Sequence, residues 1–243
     1  MAYLIIDAGN TRVKVFVFEE DRVIFNVVLE EDLLSQNFKK IFKNFFISQI
    51  ILSSVGGLKE KIELLLVDKA PIIILSNKTL VPFENRYKTP TTLGVDRIAL
   101  MAAASNLYPK ENVLVIDAGT CVTYDFLNAK NEYLGGAISL GLQMRYKALN
   151  SFTEKLPKLN YSEPSDIIGR DTESSIHSGV VNGLISEING VVERYKEKYT
   201  DLTVVLTGGD VIYLSRRLKN GIFANPNFLV EGLNAILKYN THE

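Results

Sequence analysis

The chain has 243 residues, 47% of them hydrophobic and 23% charged, the profile of an ordinary folded protein with room for one large domain or two small ones. Its 27 basic and 28 acidic residues leave a formal net charge of −1, so no strong field for nucleic acid or an anionic membrane is expected. One cysteine, Cys121, excludes an internal disulfide, and two histidines, His177 and His242, are too few for a histidine-based metal site or a Ser-His-Asp relay.

The chain opens directly on Ala2-Tyr3-Leu4-Ile5-Ile6-Asp7, without a basic region ahead of a long apolar run. No later run approaches the length of a bilayer span. Cytoplasm is therefore the expected compartment, in keeping with a lone Cys121 read as a small apolar strand residue. His177 is read as part of a helix face and His242 as part of a tail.

Residues 3–8 and 12–19 read as paired strands, with Val13, Val15 and Val17 alternating along the second. A third apolar run covers Val23 to Val28. A helix over about 30–46 puts Leu33, Leu34, Phe38, Ile41, Phe42 and Phe45 on one face. Gln49 to Val55 is a strand ended by Gly56-Gly57, Leu58 to Leu66 a short helix, and Pro71 to Leu75 a short buried strand. Residues 77–96 lack periodicity and hold Pro82 and Pro90, and a loop that long inside a compact chain is usually functional or disordered. Arg97 to Tyr108 is a helix with a small-residue face, Ala102-Ala103-Ala104.

The pattern then starts again. Strands fall at about 112–118, 121–127 and 132–139, followed by a helix from Gly141 to Ser151. A polar loop with Pro157 and Pro164 leads to a long helix over about 172–199. Next come a strand, Thr203 to Leu206, the turn Thr207-Gly208-Gly209-Asp210, and a helix over about 211–219. A final helix, Asn227 to Tyr239, begins just after Pro226. The expected fold is α/β, two duplicated ribonuclease-H-like domains (βββαβα) facing across a nucleotide cleft, with residues 1–110 as one domain and 111–243 as the other.

The duplication is visible in single residues. At an offset of 110, Leu4, Ile6, Asp7, Ala8, Gly9 and Phe16 match identical residues at 114, 116, 117, 118, 119 and 126. Each copy reads as a buried strand ending in a carboxylate, then a Gly-containing turn with a hydroxyl, then a second strand. A single such copy is most simply a hairpin turn. Two copies heading two similar halves suggest polar turns facing one another.

No G-x-x-x-x-G-K-[ST] and no G-x-G-x-x-G between strand and helix is present, so nucleotide phosphates need another cradle. Gly9-Asn10-Thr11 and Gly119-Thr120 can aim backbone N–H groups and hydroxyls at an anion. Asp7 and Asp117 would repel a bare triphosphate, which calls for a cation with a taste for oxygen, Mg²⁺ or K⁺. Lys14, on the same strand edge, is read either as a phosphate partner or as a solvated lysine. Thr207-Gly208-Gly209-Asp210 either lets a ligand approach a helix N-terminus or is an ordinary turn capped by Asp210. Gly94-Val95-Asp96-Arg97 follows the long loop. There Asp96 is a helix cap or a base for a substrate hydroxyl, and Arg97 a solvated residue or a clamp on substrate oxygens.

Taken together, Asp7-x-Gly9-Asn10-Thr11, Asp117-Ala118-Gly119-Thr120 and Leu206-Thr207-Gly208-Gly209-Asp210 resemble the phosphate and adenosine motifs of the acetate kinase, sugar kinase, heat-shock chaperone and actin superfamily. Within it, Tyr87-x-x-Pro90-x-x-Leu93-Gly94-x-Asp96-Arg97 resembles the substrate motif of type III pantothenate kinases. Gly135-Gly136-Ala137-Ile138 and Thr172-x-x-x-Ile176-x-Ser178-Gly179 match further blocks of that family. One departure is Leu140, where the family's second glycine block usually has proline.

The resemblance implies ATP-dependent phosphorylation of the primary hydroxyl of pantothenate, the first step toward coenzyme A. It implies Asp96 as general base. Tyr87, Gly94, Val95, Arg97 and Thr172 would line the pantothenate pocket with it. Asp7, Ala8, Gly9, Asn10, Thr11, Arg12, Val13, Lys14 and Thr120 would hold ATP with Mg²⁺, and Asp117 would hold a monovalent cation, K⁺ or NH4⁺. It also implies a homodimer with substrate bound close to the subunit interface. The alternatives weighed are a kinase for another small hydroxylated molecule, an actin-like nucleotide switch, and a relative that binds without catalysing. The loop motif around Asp96 argues against the first and the short chain against the second. Retention of Asp7, Asp96, Arg97 and Asp117 argues against the third.

Overall fold

The computed structural model describes residues 1–9, 12–54, 57–218 and 221–241. Two compact units are present, one formed by residues 1–109 together with the chain from residue 227 onward, the other by residues 110–226.

The first unit opens with β1 (Ala2–Ala8), β2 (Val13–Glu19) and β3 (Arg22–Leu29). A single 3-10 turn over Glu31–Leu33 precedes α1 (Leu34–Asn44), so the helix expected from residue 30 forms its regular part four residues later. Then follow β4 (Ile47–Ser54), α2 (Lys59–Leu66) and β5 (Ile72–Ile74). The long loop contains the two-residue β6 (Glu84–Asn85) and a 3-10 turn at Pro90–Thr92 before α3 (Val95–Leu107).

The strand order is β3-β2-β1-β4-β5, with β1–β2 and β2–β3 antiparallel and β1–β4 and β4–β5 parallel. β1 is central and apolar on both faces, as a strand covered on both sides must be. β3, at the edge, alternates between exposed and half-buried positions. One sheet face, with Leu4, Ile6, Val15 and Leu52, packs on Phe38 and Ile41 of α1 and on Ile62 and Leu66 of α2.

The second unit repeats the plan: β7 (Asn112–Ala118), β8 (Cys121–Leu127), β9 (Glu132–Leu140), α4 (Leu142–Ser151), α5 (Thr172–Lys198), β10 (Leu202–Thr207), α6 (Val211–Leu214) and β11 (Ile222–Ala224). Across its sheet the order β11-β10-β7-β8-β9 carries the same sense of pairing as its counterpart. Leu114, Ile116, Tyr124 and Phe126 pack on Ile176, Leu184 and Ile188 of α5. α5 starts at a capping box in which the Asp171 carboxylate accepts the Ser174 N–H at 2.8 Å and the Ser174 hydroxyl accepts the Asp171 N–H at 3.1 Å.

The last helix, α7 (Phe228–Thr241), packs on α3, β1 and β4, and so completes the first unit rather than the second. The chain-order division at residue 110 therefore differs from the compact units in this helix. The reason lies in side-chain size. Ala102, Ala103 and Ala104 are buried on α3, and Gly232 of α7 comes so close that a Cβ there would sit 1.8 Å from the Ala99 carbonyl oxygen. Asn234 also donates to the Glu20 carbonyl at 2.9 Å, and Lys238 pairs with Asp21 at 2.9 Å. No helix among the described residues is long and apolar enough to cross a membrane.

Candidate active site

In the first unit, Asp7 lies one residue from the end of β1, in register with Lys14 on β2 and Ser53 on β4. The Asp7 side chain is 17% exposed, and its carboxylate lies 3.9 Å from Lys14 Nζ. Burial pushes its pKa above the usual carboxylate range, Lys14 opposes the shift, and the negative charge of Asp96 adds to it. Two acids expected in one site are thus close enough to feel each other. The hairpin end is closed by the Gly9 N–H, which donates to the Arg12 carbonyl at 3.1 Å. Ala8 and Val13 are buried core residues on either side and Arg12 is exposed, while Asn10 and Thr11 lie outside the described residues.

Asp96 is not the cap of α3. Gly94 holds that place, and Asp96 stands in the first turn, two residues past it. Its Oδ1 accepts the Arg97 N–H at 2.9 Å and lies where a Gly94 Cβ would be, 2.3 Å from it. Glycine at 94 therefore gives the carboxylate its place. Arg97 is buried, its guanidinium 5.5 Å from the centre of the Tyr87 ring. Tyr87 is itself fixed by its N–H, which donates to Asn85 Oδ1 at 2.9 Å. Tyr87, Gly94, Asp96 and Arg97 form one cluster, with Val95 as the first helical residue.

In the second unit, Asp117 occupies the position of Asp7, one residue from the end of β7, in register with Thr123 and Thr207. The turn over Gly119 and the exposed Thr120 is closed by the Gly119 N–H donating to the Cys121 carbonyl at 2.9 Å. Gly208, at φ +98°, crosses directly over this strand end: a Cβ there would lie 2.3 Å from the Ala118 carbonyl oxygen and 2.4 Å from Asp117 Oδ1. Only glycine satisfies both demands. The Asp210 N–H then donates to the Ala118 carbonyl at 2.9 Å.

The Asp210 carboxylate makes no cap to its own short helix; it accepts the N–H of Leu142, the first residue of α4. Burial pushes its pKa up to about 6 against that hydrogen bond. Gly141 completes the cradle, since a Cβ there would lie 2.2 Å from the carbonyl oxygens of Gly119 and Thr120. With Leu140 in the family's proline position, β9 runs on through Leu140, paired with Cys121, and α4 starts two residues later.

Thr172, the first residue of α5, lines an open apolar groove of about 950 Å³ with Leu140, Arg145, Leu149, Ile176 and Val180. It belongs to the second unit, whereas Tyr87, Gly94, Val95, Asp96 and Arg97 belong to the first. Arg145 anchors the groove wall: it donates to the Leu140 carbonyl at 3.0 Å and pairs with Glu187, which also accepts the Tyr124 hydroxyl at 2.9 Å. Neither this network nor the Asp210–Leu142 bond has a sequence signal, because the partners are far apart along the chain.

A family model described as type III pantothenate kinase matches residues 3–194. The chain belongs to that family. A protein of Christiangramia forsetii named type III pantothenate kinase is 48% identical over 238 residues, covering 98% of each chain. Among solved structures, a Campylobacter jejuni protein described as a conserved Baf family transcriptional activator superposes with a TM-score of 0.65 at 22% identity, over 99% of this chain and all of that one. A glucokinase from an Antarctic psychrotroph gives 0.52 at 12% identity, over 99% of both chains. These two similarities concern the fold, which is the duplicated α/β plan of sugar kinases.

Proposed function

We propose that the protein transfers the γ-phosphoryl group of ATP to the primary hydroxyl of pantothenate, giving 4′-phosphopantothenate and ADP at the first step of coenzyme A synthesis. The observation that carries the reading is the proximity of the Asp7 and Asp96 carboxylates in a chain of this family, beside a buried Arg97 braced on Tyr87.

Asp96 accepts the hydroxyl proton as the alcohol oxygen bonds to the γ-phosphorus and the bond from that phosphorus to the ADP oxygen breaks. Holding Oδ1 against the Arg97 N–H leaves the other carboxylate oxygen as the acceptor. Arg97, with Tyr87, Gly94, Val95 and Thr172, binds pantothenate, its guanidinium suited to the substrate's carboxylate. Asp7 to Lys14 and Thr120 hold ATP through N–H groups and hydroxyls, and Lys14 offsets phosphate charge.

Two cations belong to this reading. The half-buried Asp7 carboxylate, its charged form disfavoured by burial first and by the charge of Asp96 as well, suits Mg²⁺ accompanying ATP, which would neutralise phosphate charge when bound. Asp117, with Thr207 and Thr123 as its register neighbours on either side, suits a monovalent cation, K⁺ or NH4⁺, which would add a positive charge beside the nucleotide when bound. A homodimer also belongs to the reading. The apolar groove beside Thr172 and the exposed Ile138, Leu140 and Phe152 of the same unit are suited to contact with a second subunit. The compartment is the cytoplasm, where the substrates are.

The test is a panel of small alcohols and sugars with coupled detection of ADP. Pantothenate should be the preferred acceptor, and Asp96→Asn should lower turnover by about 100-fold or more while ATP still binds. Turnover of Asp96→Asn near that of the native protein removes Asp96 as base, and a sugar preferred over pantothenate assigns another acceptor.

A further inference from the structure

The two duplicated sheets carry a matching row of side chains across their centres. In the first unit the register runs Ser53 on β4, Asp7 on β1, Lys14 on β2. In the second it runs Thr207 on β10, Asp117 on β7, Thr123 on β8. Register partners project from the same face of a sheet. Each carboxylate is therefore flanked by a hydroxyl on its parallel side and by one further group on its antiparallel side.

That last position is where the rows part. In one it is an ammonium, 3.9 Å from the Asp7 carboxylate. In the other it is a neutral hydroxyl. Thr123 is 9% exposed, and its Oγ1 is buried without a hydrogen-bond partner. Such a group is rare in a folded protein and calls for a partner, an ordered water or an ion. The donors in this row are all oxygens, which suits a hard cation rather than a transition metal. Glycines 119 and 208 both pass beside Asp117 Oδ1, where a Cβ would lie 3.8 Å and 2.4 Å from it.

We infer that Thr123 Oγ1 is, with Asp117, a ligand of the monovalent cation, which takes in the second unit the place that the Lys14 ammonium holds in the first. The inference rests on the reading of Asp117 as the cation ligand.

The experiment reads cation binding directly, by thermal melting of the full-length protein with ADP and Mg²⁺ at constant ionic strength, K⁺ replacing choline. The native protein should gain melting temperature with K⁺ and with NH4⁺. Thr123→Val should melt at least as high in choline, because it deletes an unpartnered buried hydroxyl. It should need about tenfold or more K⁺ for half of the rise. Thr123→Ser should titrate like the native protein. Thr123→Lys should melt independently of K⁺ and turn over in choline; if it does not fold, the Val and Ser pair decides.

A Thr123→Val titration equal to the native one overturns the inference. If Asp117→Asn loses the response while Thr123→Val keeps it, the cation site stands without Thr123. If the native protein itself ignores K⁺, the cation reading fails and takes the inference with it.

Discussion

Asp96 and Arg97 are adjacent in sequence, but one residue of helix turns a side chain by about 100°, which suits them to different ends of the proposed reaction. Asp96 stays at the open first turn; Arg97 goes inward against Tyr87. Replacing Arg97 by alanine should raise the pantothenate KM by about 10- to 100-fold, the worth of one or two hydrogen bonds to a charged group, with the ATP KM little changed. An effect confined to ATP contradicts the assignment. Lysine should not restore the native value, because it lacks the planar fork.

Asp210 makes a pH prediction. The folded protein holds its proton up to about pH 6, whereas an unfolded chain releases it near 3.8, so between those values the folded state binds more protons. Stability from this group is full below the lower value, falls as pH rises through the window, and stays lost above it. Asp210→Asn cannot ionise. Urea midpoints of the variant should therefore gain on the native protein from pH 4 to 6.5 and then level off; a difference that is flat across this range contradicts the burial argument. The turns that carry Asp7 and Asp96 were legible at this scale because their motifs are local in sequence. The Asp210–Leu142 bond and the bare Thr123 hydroxyl were not, because each depends on a strand or helix that only folding brings near.

Among the elements, the first strands of each half were legible from alternation and from the repeated Asp-Ala-Gly turn. β11 was not: three residues, half-buried or exposed, leave no pattern. α3 was placed two residues late because Gly94, rather than Asp96, caps it. The small-residue face of α3 was read without its partner, which is α7. Gly232→Ala would drive a methyl group into the Ala99 carbonyl, and no side-chain rotation can relieve a clash with backbone. It should cost on the order of 3 kcal/mol in chemical denaturation, at the upper end for overpacking. A cost under roughly 0.5 kcal/mol, typical of a surface site, refutes this packing of α7 on α3.

At the scale of the molecule, the offset of 110 between Leu4 and Leu114 announced two copies of one plan, and the matched strand orders are that plan in three dimensions. What chain order could not announce is that the last helix returns to the first copy, since nothing in Phe228–Thr241 names its neighbour. The exposed apolar side chains of the second unit belong to the proposed homodimer. Light scattering on a sizing column should give twice the chain mass, and a monomer at micromolar concentration would leave that surface without its partner.

The most direct measurement is the product itself: the protein incubated with ATP, Mg²⁺, K⁺ and pantothenate, followed by mass spectrometry. Phosphopantothenate formed in step with ADP, and lost with Asp96→Asn, is the predicted result. ADP released with pantothenate unchanged, or no turnover from folded protein that binds ATP, would contradict it.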